Sequence, residues 1–143
     1  MRWATPVVTL LLLLAGCNDV RDFRGTWQGE RVGSAEVLRV GPGDAATLII
    51  DDLDEHGIQA RLAIEGLVAE TSVASIPGAE ADALANMTFA GSPLRVYLAF
   101  VATTDSKGDA LVLIALYDDQ RVEVRLLRNG TTPLYAIFAL KSG

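Results

Sequence analysis

Ile58-Gln59-Ala60-Arg61-Leu62-Ala63-Ile64-Glu65 is the stretch that decides the fold. Ile58, Ala60, Leu62 and Ile64 alternate with Gln59, Arg61, Ala63 and Glu65, and a strand sends such neighbours to opposite faces. One face is built for a core and the other carries polar groups. Leu94, Val96, Leu98 and Phe100 alternate in the same way with Arg95, Tyr97, Ala99 and Val101, and Val122, Val124 and Leu126 alternate with Glu123, Arg125 and Leu127. The apolar runs Ala46 to Ile50, Ala110 to Tyr117 and Leu134 to Leu140 are short and rich in β-branched and aromatic residues, which favours strand over helix.

Turn chemistry separates these runs. Gly41-Pro42-Gly43-Asp44, Asp105-Ser106-Lys107-Gly108-Asp109, Asp118-Asp119-Gln120 and Asn129-Gly130 supply residues that tolerate positive φ or preset a bend. The pattern predicts strands over 23–32, 35–40, 46–52, 58–65, 67–75, 94–103, 110–118, 121–128 and 134–141. Residues 79–85, rich in alanine, have helical propensity, and 87–89 suit a strand. The expected fold class is all-β: one small antiparallel meander that closes into a barrel or packs as a β-sandwich.

At the amino terminus Arg2 and an apolar run from Val7 to Leu14 lead into Leu14-Ala15-Gly16-Cys17, where small residues precede the only cysteine. This resembles the signal peptide and lipobox of a bacterial lipoprotein. The resemblance implies a diacylglycerol thioether (with palmitate among the acyl chains) on Cys17, cleavage just before it and acylation of the new amino terminus. The uncharged stretch from Trp3 to Cys17 is shorter than the ~20 residues a spanning helix needs. Residues 1–16 are then a processed leader, 17–22 a lipidated tether and 23–143 the β domain. Asn18 stands where an Asp would favour inner-membrane retention in Gram-negative cells, so the expected address is the outer membrane, facing the periplasm.

The leader removes Arg2 alone, leaving 11 basic residues against 18 acidic ones and a net charge of −7. That sign argues against nucleic acid, whose phosphates need clustered Lys and Arg, and against a polybasic lipid-binding face. Stable attachment to a membrane then falls to the acyl chains, two or more of which hold where one is marginal. With Cys17 committed to lipid the domain has no disulfide and stands on packing.

Phe23-Arg24-Gly25-Thr26-Trp27, at the opening of the first strand of the domain, resembles the Gly-x-Trp signature of lipocalins and related calycin barrels. The resemblance covers Gly25 and Trp27. It implies a tryptophan closing one barrel end, a glycine permitting close backbone approach and an arginine, here Arg128, packing across the tryptophan. Thr104-Asp105-Ser106 echoes the family's Thr-Asp-Tyr turn without its aromatic.

Catalytic chemistry finds little to use. His56 is the only histidine, within Asp51-Asp52-Leu53-Asp54-Glu55-His56-Gly57. Asp52, Asp54 and Gly57 echo the start of an EF-hand, but Ala63 stands where the closing bidentate Glu belongs, so a solvated turn is the better reading. One histidine and one lipidated cysteine cannot build a His/Cys zinc site. There is no Gly-x-Ser-x-Gly elbow and no phosphate-cradling glycine pattern. The chain therefore reads as a non-enzyme without cofactor or metal.

Two functions fit. One is a lipid-anchored carrier that binds a small apolar or amphiphilic ligand in a barrel mouth, with Trp27, Tyr97 and Phe100 as lining residues. The other is an envelope protein-protein interaction or assembly module with no internal cavity, to which Leu127 points by breaking the outward series Glu123, Arg125.

Overall fold

The computed structural model describes residues 19–32, 45–76, 89, 91–131 and 133–143. The predicted leader, Cys17, the predicted strand at 35–40, the predicted turn at 41–44 and the alanine-rich stretch 79–85 lie outside the described residues, as do residues 87 and 88 of the short stretch read as strand. Eight strands form: β1 (Gly25–Arg31), β2 (Ala45–Leu53), β3 (Ile58–Ile64), β4 (Val68–Ala74), β5 (Arg95–Ala102), β6 (Asp109–Leu116), β7 (Val122–Arg128) and β8 (Leu134–Ser142). Each falls on a predicted strand, β2, β3 and β5–β8 on the segments read from alternation or from a short apolar run and β1 and β4 on the strands expected over 23–32 and 67–75.

All eight belong to one antiparallel sheet in the order β4-β3-β2-β1-β8-β7-β6-β5. Two meanders, β1–β4 and β5–β8, meet where β1 pairs with β8. Between the outer strands β4 and β5 the Ile76 N–H donates to the Leu98 carbonyl at 2.8 Å and the Thr104 N–H to the Leu67 carbonyl at 2.9 Å. The sheet is thus a nearly closed barrel, and of the two all-β architectures expected the barrel is the one formed.

Alternation sets the inside. Trp27, Leu48, Ile50, Leu62, Ile64, Val112, Ile114, Val124, Leu126, Phe138 and Leu140 all lie in one continuous buried cluster. Burying each large aliphatic or aromatic side chain contributes roughly 1.5–3 kcal/mol, and this cluster is the main source of the barrel's stability.

The barrel has a near end, where β1 begins, and a far end. At the near end Asp19 caps a short 3₁₀ turn, Val20–Phe23, by accepting from the Arg21 N–H at 3.0 Å. The turn drives Phe23, fully buried, into the barrel mouth.

Two glycines of β1 have different jobs. Gly25 has φ +125°, a conformation side chains resist, and the space around it is open. A Cβ on Gly29 would stand 1.8 Å from the Ala139 carbonyl oxygen. The close backbone approach that the lipocalin resemblance assigns to Gly25 therefore occurs at Gly29, where the two meanders join.

Candidate functional site

Trp27 and Tyr97 point inward at the near end. The Trp27 ring stacks on Phe23 with centroids 5.4 Å apart, and its Nε1–H donates to the Phe23 carbonyl at 2.8 Å. The Tyr97 hydroxyl donates to the Asp54 carbonyl at 2.7 Å. Each aromatic has its polar tip satisfied by backbone, so the pair acts as a stopper of the mouth. Phe100 does not join them. Three positions beyond Tyr97 on the same strand, it faces the other way and is 59% exposed.

Core side chains also fill the middle of the barrel. A hollow wide enough for a ligand leaves accessible area on the side chains that line it, yet the members of the core cluster are all 3% exposed or less. Eight-stranded barrels are narrow enough for side chains alone to fill. Hollows along the outside are open and shallow, one of about 330 Å³ beside His56 and one of about 430 Å³ between the 3₁₀ turn and Leu94.

The far end is fastened by a polar clamp. Arg128, 8% exposed, donates to both Asp105 carboxylate oxygens at 2.9 and 2.8 Å, and to Thr103 Oγ1 at 2.7 Å. The Lys107 N–H closes the turn onto the same carboxylate at 3.0 Å. Arg128 first, then Thr103 and Lys107, hold the Asp105 carboxyl well below its ordinary range. Ser106 (φ 57°) and Gly108 (φ 108°) take the positive-φ positions of this turn. Arg128 thus stands at the end opposite Trp27, and the arginine-over-tryptophan contact implied by the resemblance is replaced by Phe23 on Trp27.

The acidic run does what a turn needs. The Asp54 carboxylate accepts from the His56 N–H at 2.7 Å and the Gly57 N–H at 2.9 Å, which lowers its pKa. Asp51 is held low by its hydrogen bonds from Arg61, which also reaches Glu70 at 3.8 Å. Among the described residues no three His, Cys, Asp or Glu side chains converge as metal ligands would.

Sequence reasoning missed the outer face of β5–β8. Phe100, Leu111, Leu127 and Tyr135 are successive register partners across the four strands and all face outward. One row toward the near end, Leu113 is 1% exposed although it faces away from the core, in a second cluster with Val96, Ala115 and Tyr117 against which Phe89 and Leu98 pack. Glu123 and Arg125, which read as solvent-facing, form an ion pair beside it with side chains 7% and 12% exposed. The Arg125 guanidinium lies over the Phe89 ring, 4.7 Å from its centroid. The Tyr117 hydroxyl is buried without a hydrogen-bond partner among the described residues, and burial raises its pKa. The signal was present in the uninterrupted run Ala110 to Tyr117, since a strand apolar at every position has two faces to bury.

No family model matches the chain, and neither a curated protein nor a solved structure matches it.

Proposed function

We propose that the protein is a lipid-anchored, non-catalytic module of the bacterial cell envelope, tethered through Cys17 to the outer membrane on its periplasmic side, that docks to another envelope protein through its outer surface. The observation that carries this reading is the packed interior. A carrier needs a hollow, and the space where one would lie is occupied by Phe23, Trp27, Tyr97, Phe138 and their aliphatic neighbours. Work that is not done inside a barrel is done on its wall, its edge or its loops. The anchor rests on Leu14-Ala15-Gly16-Cys17 and on the two residues, Asn18 and Asp19, that separate Cys17 from the 3₁₀ turn at Val20–Phe23.

Two measurements test the proposal. Labelled palmitate should enter the wild-type chain in its host and not Cys17→Ala; equal labelling of both removes the anchor. Chemical crosslinking in native membranes should recover one reproducible protein partner, and a clean monomer at every crosslinker length would contradict the docking role.

A further inference from the structure

The point where the tether leaves the barrel coincides with the start of an apolar column. Asp19, Val20 and Arg21 line one hollow together with Leu94 and Arg95, so the chain arrives beside the first residues of β5. One residue, Asn18, separates Cys17 from Asp19, a reach of about 7 Å even when extended. From there the outward positions run Leu94, Val96, Leu98 and Phe100, over roughly 20 Å of strand; Val96 and Leu98 in the middle pack into the second cluster with Phe89, so the open apolar surface lies at the two ends. Leu94 and Phe100, at the two ends of this column, are 40% and 59% exposed, and Val32 is the other large apolar side chain exposed among the described residues. Leu111 and Leu127 widen the column around Phe100.

Charge divides the barrel along the same line. On the β2–β4 wall the exposed carboxylates of Asp51, Asp52 and Glu70 surround Arg24 and Arg61. On the outer face of β5–β7, Glu123 and Arg125 neutralise each other, and Asp109 stands at the far margin. Among the described residues the middle of the column thus opposes an anionic lipid surface with no net side-chain charge, while Asp54 and Glu55 share the hollow at its Leu94 end.

We propose that the β5–β6 flank rests on the bilayer that holds the tether, with Leu94 and Phe100 entering the headgroup layer. This leaves the polar β2–β3 wall, away from the β4–β5 seam, turned toward the periplasm for a protein partner. A short tether makes the contact nearly intramolecular, so a small apolar column is enough to fix orientation where it would never recruit a free protein. The inference rests on the anchoring reading above, and the experiment separates the two.

Acylated protein purified from its host is reconstituted into phosphatidylethanolamine–phosphatidylglycerol vesicles, carrying an environment-sensitive fluorophore on Ala102→Cys of β5 or on Gln59→Cys of β3. Both positions are exposed, and acylation of Cys17 leaves the introduced thiol as the one that reacts. The expected result is vesicle flotation with a blue-shifted label at position 102, quenched several-fold more by lipid-borne nitroxide than the label at 59. Adding Phe100→Glu should return the label at 102 to water. Flotation with both labels equally open to aqueous iodide would overturn the flank proposal and leave the anchor intact. Protein that fails to float would overturn both. A label at 102 that is aqueous in vesicles but shielded in native membranes would assign the flank to a protein and overturn the lipid contact.

Discussion

The wall formed by β2–β4 and the wall formed by β5–β7 share one barrel and one alternation rule, yet only the first obeys it on both faces. Along β3 the buried positions alternate strictly with exposed or half-buried ones, and the outer side is finished with exposed ion pairs such as Arg61–Asp51. Along β6 five consecutive residues from Val112 to Leu116 are buried. The first wall is one layer thick and meets water; the second has a core within and an apolar layer without. That outer layer is a second packed cluster, closed over by Phe89 and the Glu123–Arg125 pair, and only its margin at Phe100 opens to solvent.

Several substitutions sharpen this contrast. The largest effect is expected at the joint of the two meanders: Gly29→Val sets a side chain against the Ala139 carbonyl and should leave no cooperatively folded protein by circular dichroism. Phe23→Ala removes the stopper and should cost about 3–5 kcal/mol in urea unfolding, while opening Trp27, the one tryptophan besides Trp3, to iodide quenching. Leu113→Ala, on the outer face of the thick wall, should cost about 2–4 kcal/mol, whereas Gln59→Ala, on the outer face of the thin one, should cost about 0.5 kcal/mol or less. Similar losses at these two positions would erase the distinction between the walls.

Acid probes the same contrast more gently. The Asp105 carboxyl is depressed in the folded state, so its contribution is whole above the unfolded value near 3.9 and is lost as pH falls toward the folded one. Asp105→Asn should lower stability at pH 7 and flatten its fall between pH 5 and pH 2. Asp51→Asn should change that fall less, because the Asp51–Arg61 pair is exposed and screened.

Much of the barrel was legible because strand polarity is local. Ile58 to Glu65 specifies an inner and an outer face without reference to the rest of the chain, and the punctuation at Asp105–Asp109 and Asn129-Gly130 falls in the turns, with Gly108 and Gly130 at positive φ. Gly29 was not legible, since its small size answers to Ala139, 110 positions away, and only register brings them together. Glu123 and Arg125 misled for a related reason: a charge reads as solvent-facing, but here each buried partner satisfies the other beside Phe89. Phe100 carried its own correction. Three residues from Tyr97 on one strand, it could never share a lining with it.

The packed interior can be tested directly by native mass spectrometry of a chain lacking residues 1–17, purified from its host and then titrated with fatty acids, sterols and single-chain amphiphiles. The account predicts the bare protein mass at every concentration and unchanged Trp27 emission. A retained apolar molecule at one per chain, or saturable uptake that quenches Trp27, would contradict it.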